Sequence, residues 1–384
     1  MNHPRSACYH GGAFFDAIGA EFDRLERRRQ IINADVLDAW FPPSPAVIAA
    51  LQTDLPWLLR TSPPTGCDGM IRVIARTRGV PAEAVLPAAG SSDAIFLAMR
   101  HWLDPSSRVL ILDPTYGEYA HVFEQVVRCR VDRMVLSPAD NYRVHLDELQ
   151  AMSRRGYDLV ALVNPNSPTG QHVPRVELEE FLCRVPETTR VWIDETYVEF
   201  AGSDESLERF AAGSSNVVVC KSMSKVYALS GVRAGYLCGP PPLIEELRGL
   251  TPPWAVSLPG QVAAVAALQD PRYYAARHAE THRLRDTFSE RLAELTHWEI
   301  LPGIANFLLC QLPPDDPSAA ELVSRCRERG LFLRDVGLMG TRLGDRALRI
   351  AVKDAGTNER MLEVLRRCLA DDRMIIGIRQ IAAL

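Results

Sequence analysis

The chain has 384 residues, 47% hydrophobic and 24% charged, which excludes a disordered or fibrous protein and is more than one ordinary core holds; two domains of one globular protein are expected. No apolar run reaches the roughly eighteen residues a bilayer span requires, and Met1-Asn2-His3-Pro4-Arg5 lacks a basic start followed by an apolar core, so a cytoplasmic protein without membrane association is predicted. A net charge of -5 with no basic run leaves no electrostatic footprint for nucleic acid, and nine cysteines, Cys8, Cys67, Cys183 and Cys310 among them, without CxxC pairs or Cys/His clusters predict no metal site.

In chain order, residues 1–45 hold no complete unit and are expected to lie against a smaller domain or a partner subunit. Over residues 46–255, a helical run at Ala94–Trp102 precedes short Val-, Ile- and Leu-rich runs at Arg108–Leu112, Leu159–Val163, Val191–Ile193, Val217–Val219 and Ala234–Leu237, with helix-like stretches such as Val176–Cys183 between them. Strands alternating with helices imply an α/β unit: a mostly parallel, buried sheet covered on both faces, three layers in all. After Pro252-Pro253 a helical stretch at Gln261–Leu295 is expected to bridge to a second unit, within residues 256–384. There the strands Ile304–Gln311 and Ala347–Val352 and the amphipathic helices Ser318–Arg329 and Asn358–Leu369 form a smaller α+β domain. Ligands of open α/β sheets bind beyond the carboxyl ends of the strands, so chemistry is sought in those loops.

The densest segment follows a predicted strand: Ser222-Met223-Ser224-Lys225-Val226-Tyr227-Ala228-Leu229-Ser230-Gly231-Val232-Arg233-Ala234-Gly235-Tyr236. Its lysine is one of only three in the chain, with Lys221 and Lys353. The residue types suit a phosphorylated aldehyde: the Lys225 amine condenses with it, while Ser222, Ser224 and Arg233 hold phosphate oxygens by charge-assisted hydrogen bonds. Arg233 and partial burial would bring the lysine pKa down from its usual value of about 10.4 toward useful basicity. Taken alone, the segment also fits a solvated, serine-rich loop.

Over its full length, however, it resembles the cofactor-lysine motif of the fold type I aminotransferases, class I/II, and further segments follow in that family's order. The resemblance implies a pyridoxal 5′-phosphate (PLP) enzyme of the PLP-dependent transferase fold, with Lys225 carrying the cofactor. Ala89-Gly90-Ser91-Ser92-Asp93 is similar to the family's phosphate loop, where backbone N–H groups at a helix start face an anion. In Asp113-Pro114-Thr115-Tyr116-Gly117-Glu118-Tyr119, Tyr116 is the residue implied to stack on the pyridine ring. Asn164-Pro165-Asn166-Ser167-Pro168-Thr169-Gly170 resembles the N-P-x-N-P-T-G turn with Ser167 in place of its cofactor-contacting asparagine, so either Ser167 or Asn166 is the contact to the phenolic oxygen. Val191–Phe200 resembles the strand whose aspartate, here Asp194, pairs with the pyridinium nitrogen and keeps the ring an electron acceptor, with Tyr197 as donor to the phenolic oxygen.

In the second unit, Ala347-Leu348-Arg349-Ile350-Ala351-Val352 resembles the strand whose arginine, Arg349, grips the substrate carboxylate through two prongs. Arg334, in Leu331-Phe332-Leu333-Arg334-Asp335, stands where the histidinol-phosphate branch has an arginine for the distal phosphate; an ion pair with Asp335 is the alternative. The implied activity moves an amino group between an amino acid, phosphorylated or otherwise modified ones included, and a 2-oxo acid, with Lys225, Asp194 and Tyr197 as the catalytic residues and the Lys225 amine as the base that takes the α-proton. A homodimer is implied as well. From Asn33 to Leu369 the chain resembles the branch of histidinol-phosphate aminotransferases and threonine-phosphate decarboxylases, and His10-Gly11-Gly12 is similar to the decarboxylases' opening. Two segments depart: Leu37-Asp38-Ala39-Trp40-Phe41-Pro42-Pro43 replaces a polar N-E-N-P, and Arg60-Thr61-Ser62-Pro63 replaces R-Y-P, whose tyrosine reaches the neighbouring subunit's cofactor phosphate. A different amino acid as substrate is therefore expected. The alternative activity is a lyase, decarboxylating or eliminating, which uses the same cofactor and differs in which Cα bond stands perpendicular to the ring.

Overall fold

The computed structural model describes residues 11–19 and 21–381, with side chains up to residue 370. His10 and Cys8 lie outside the described residues. The strands, in chain order, are β1 (Ile32–Asn33), β2 (Val85–Ala88), β3 (Arg108–Asp113), β4 (Arg130–Val135), β5 (Leu159–Val163), β6 (Arg190–Asp194), β7 (Val217–Ser222), β8 (Gly235–Cys238), β9 (Glu299–Leu301), β10 (Phe307–Gln311), β11 (Leu331–Phe332), β12 (Arg334–Asp335) and β13 (Ala347–Ala351).

Seven of them form one sheet in the order β2-β8-β7-β6-β5-β3-β4, parallel from β7 to β4 and antiparallel where β8 meets β2 and β7. Successive residues of the inner strands feed opposite cores. Leu159, Ala161 and Val163, with Trp192 and Val218, pack against the helices Ser91–Trp102 and Pro241–Arg248. Val160 and Leu162, with Val191, Ile193, Val217 and Val219, pack against Asp68–Arg78 and Leu258–Leu268. This is the three-layer arrangement that β-branched runs buried on both faces require. The expected strands are present, Leu159–Val163 unchanged and the others with one to three residues added or shifted. The two strands of this sheet that escaped the sequence reading lie at its edges: β2 contains Pro87, and β4 is rich in charge as Arg130-Val131-Asp132-Arg133, both of which are best tolerated where a ladder side is open.

The expected continuous helix Gln261–Leu295 is two helices, Leu258–Leu268 and Pro271–Leu295. Pro271 cannot continue the first ladder but suits a first helical position, and the Asp270 side chain caps the new start by accepting from the Tyr273 backbone N–H at 3.4 Å. The later strands make an antiparallel sheet β12-β13-β10-β9 flanked by the helices Ala319–Glu328 and Ala355–Ile381. β1 pairs in parallel with β11, and the Ala351 N–H donates to the Ala34 carbonyl at 3.0 Å, so the segment around Ile32–Ala34 is joined to this smaller sheet. No helix of the described residues is long and apolar enough to cross a membrane.

Candidate active site

A cavity of ≈170 Å3 opens beyond the carboxyl ends of β5, β6 and β7, where Val163, Asp194 and Ser222 line it, and is walled on the other side by Arg334 of β12 and Arg349 of β13. Parallel strands end there together, which is why the loops that follow them converge. Ser91, Ser92, Tyr116, Ser167, Tyr197, Ser224, Lys225 and Arg233 line the same cavity. A larger cavity of ≈830 Å3, lined by Arg78, Glu199, Tyr227 and His278 among others, shares none of these residues.

At one end the helix Ser91–Trp102 presents its N-terminus beside Ser222, Ser224 and Arg233. Two glycines let these elements approach. Gly90 has φ +91, and a Cβ there would lie 2.5 Å from an Arg233 guanidinium nitrogen; a Cβ on Gly235 would meet the Lys221 carbonyl oxygen at 2.8 Å and the Ser91 nitrogen at 3.0 Å. Gly90, expected as a cofactor contact, therefore stands behind Arg233 and does not line the cavity. The Ser92 hydroxyl and the Tyr116 hydroxyl both donate to Glu118 Oε2, each at 3.0 Å.

On the floor, Asp194 is buried and hydrogen-bonded throughout. Oδ2 accepts from Tyr119 OH at 2.8 Å, while Oδ1 accepts from the Thr196 backbone N–H at 2.9 Å and its hydroxyl at 2.6 Å. Trp192 Nε1 donates in turn to the Tyr119 oxygen at 2.7 Å, fixing that hydroxyl. Burial pushes the Asp194 carboxyl above the usual range, against these hydrogen bonds, and among the described residues it has no ion-pair partner. Burial also raises the Tyr197 phenol, with the Arg349 guanidinium opposing.

Of the two candidates in the Asn164–Gly170 turn, the structure brings Ser167 to the cavity. Asn166 faces away: its amide donates to the Pro114 carbonyl at 2.9 Å and to Thr169 Oγ1 at 3.2 Å, and its oxygen accepts from Thr115 at 3.1 Å. It braces the loop and is not among the residues that line the cavity. Arg349 is buried, donating through Nη1 to Ser167 Oγ at 3.0 Å and through Nη2 to the Asp35 carbonyl at 3.1 Å, while its Nε has no hydrogen-bond partner. Arg334 lies on the neighbouring strand, opposite Arg349, with Nη1 3.5 Å from an Asp35 carboxylate oxygen. The Asp335 side chain is turned to its own loop, where an oxygen accepts from the Gly337 N–H at 2.9 Å. Val36 and Leu37 line the cavity, whereas Trp40 turns away to donate to Thr281 at 2.8 Å. None of Arg60–Pro63 lines it.

Sequence reading missed the surroundings of Lys225. Its Nζ donates to Asp38 Oδ1 at 3.0 Å, the Ser230 hydroxyl contacts the same oxygen at 2.7 Å, and Lys353 Nζ donates to the Asp38 backbone carbonyl at 3.0 Å. Burial lowers the Lys225 pKa; Asp38 opposes this, and Arg349 and Arg233 add to it. Burial brings Lys353 down to about 8. The scarcity of lysine was the available signal, since a chain with only three lysines draws attention to each of them. The third, Lys221, is buried beneath the site; burial alone would depress it, but Glu199 at 2.8 Å and Glu195 at 3.3 Å more than offset this and hold it charged.

Residues 35–368 match the family model for aminotransferase class I and II. The histidinol-phosphate aminotransferase of Moorella thermoacetica is 28% identical over 333 residues, spanning 85% of this chain and 83% of the relative. Among solved structures, the histidinol-phosphate aminotransferase of Sinorhizobium meliloti in complex with pyridoxal-5′-phosphate superposes with a TM-score of 0.80 at 22% identity, over 96% of this chain and 100% of that one. The L-threonine-O-3-phosphate decarboxylase of Porphyromonas gingivalis superposes at 0.77 and 22%, over 88% and 100%, which at that identity shows a common fold alone. The chain belongs to the class I and II aminotransferase family. It is a PLP-dependent aminotransferase, and the transferase reading stands ahead of the lyase one.

Proposed function

We propose that Lys225 carries the cofactor and serves as the proton carrier for transfer of an amino group from an α-amino acid to a 2-oxo acid. The observation that carries this reading is the convergence of Lys225, Asp194 and Arg349 on one cavity. The residues present fit PLP at both ends. A helix N-terminus with Ser92, Ser222, Ser224 and Arg233 suits a phosphate, and a buried carboxylate without a cation, Asp194, suits a protonated ring nitrogen. When bound, that ring supplies an electron sink for charge left at the substrate α-carbon. Tyr116 would cover the ring, and Tyr197 and Ser167 would hold its phenolic oxygen.

The protein's own groups do the rest. Arg349, with one guanidinium nitrogen unpartnered in a buried pocket, orients the substrate carboxylate. The Lys225 amine, made less basic by burial and two arginines, would take up and hold the substrate α-proton. The Asp35 carboxylate beside Arg334 supports a donor whose side chain ends in something other than a phosphate ester. Exposed Trp57, Leu59 and Trp254 support a homodimer, here placed in the cytoplasm, which light scattering at micromolar concentration tests.

A screen of amino donors, histidinol phosphate included, against 2-oxo acids tests the function directly, following the visible spectrum with carbon dioxide and ammonia. Keto-acid-dependent amino transfer is expected. Stoichiometric release of either gas without transfer would make the enzyme a lyase, and full turnover by Lys225→Ala would remove the role given to that residue.

A further inference from the structure

The segment between β1 and the helix Pro45–Thr53 places a carboxylate against the amine on which the chemistry turns. Asp38 Oδ1 lies 3.0 Å from Lys225 Nζ and 2.7 Å from Ser230 Oγ. The main chain is held too, since the Asp38 carbonyl accepts from Lys353 Nζ at 3.0 Å. The contact therefore joins three stretches of chain far apart in sequence, and none of these partners is a flexible surface group: Lys225 and Lys353 are both largely enclosed.

We propose that Asp38 is the counter-ion of the Lys225 nitrogen and that Lys353 is the opposing charge, so that the two together set how tightly that nitrogen holds its proton in the resting enzyme. This rests on the reading of Lys225 as the cofactor-bearing amine. An opposite charge this close favours the protonated nitrogen, and a like charge held on the Asp38 main chain weakens that preference. The other groups facing the set are fixed or remote. Arg349 of β13 and Arg233 stay charged and act on Lys225, Tyr197 faces Asp38 as a neutral phenol, and Asp354 acts on Lys353. His278, on the helix Pro271–Leu295, lies beyond Phe41 and bonds to the Val226 carbonyl at 2.9 Å. Burial lowers the Lys353 pKa to about 8, which leaves its charge adjustable near neutrality. Asp38 is thus a positioning residue acting through Lys225, and the polar N-E-N-P segment of the resembling branch is replaced here by one whose single charge meets the lysine.

The test is a spectroscopic pH titration of the cofactor-loaded enzyme without substrate, reading the pH at which its visible band changes. Asp38→Asn is expected to move that midpoint down by about 1–3 pH units, the usual effect of removing a charge at this range. Lys353→Met, by the opposite logic, is expected to move it up. A midpoint unchanged in Asp38→Asn, or both variants shifting the same way, would overturn the proposal. If Asp38→Asn does not fold, the Lys353→Met direction decides alone. Absence of any borohydride-reducible band in the unaltered enzyme would instead remove the role of Lys225 itself, so the two failures are separable.

Discussion

Arg349 donates to Ser167 with one prong and to the Asp35 carbonyl with the other, so its plane is set before a substrate arrives. A lysine in its place would keep the charge and lose the fork. Arg349→Lys is expected to lower kcat/KM for the amino donor by about 10- to 100-fold, the worth of a charged hydrogen bond in a buried site, with steady-state kinetics as the measurement. Lys353 offers a stability readout. Its pKa, about 8 in the folded chain and about 10.4 when unfolded, means that between those values only the unfolded chain binds the proton. Stability from this group therefore rises with pH through that window and is lost as pH falls back through it, the loss being complete below about 8. Compared with Lys353→Met, the unaltered protein is expected to gain on the order of 3 kcal/mol between pH 7.5 and pH 10.5, roughly, in urea denaturation. A constant difference between the two proteins across that range would contradict the assignment.

Elements explain which parts of the site could be read in advance. Strand-end residues such as Asp194 and Ser222 were legible because apolar runs β6 and β7 stop there, and the end of a buried strand is where polar groups reach a ligand. Tyr119, which holds Asp194, was legible only as part of a motif: nothing in a one-dimensional pattern says that a helix turn after β3 brings its hydroxyl across to β6. Asp38 escaped for the same reason, since its partners are 187 and 192 residues away. The edge strands β2 and β4 and the break at Asp270-Pro271 were local matters, masked by a proline, by charge and by helical periodicity on both sides. Packing at the start of the Ser91 helix makes its own prediction. In Gly235→Ala the new methyl would press on backbone of β7 and of the helix start, neither of which can swing aside. Overpacking of about 1–3 kcal/mol there should weaken cofactor binding by about tenfold or more, measured by absorbance titration of the apoprotein.

The molecule as a whole divides its charges unequally. All three lysines are interior: Lys221 is locked between glutamates, and Lys225 and Lys353 both contact Asp38, while the rest of the 43 lysines and arginines are arginines. Guanidinium groups stay protonated at any pH the fold survives and are poor nucleophiles toward aldehydes. Free cofactor in excess, which on ordinary proteins decorates surface lysines, thus finds no exterior side-chain amine among the described residues. Borohydride fixation followed by intact-mass measurement should yield one hydride-fixed cofactor per chain even at large excess, a terminal amine aside, and two or more on internal peptides would contradict this. The same burial leaves amine-directed cross-linkers and labels no exterior lysine among the described residues, so that, a terminal amine aside, any such reagent that does bind reports on the interior.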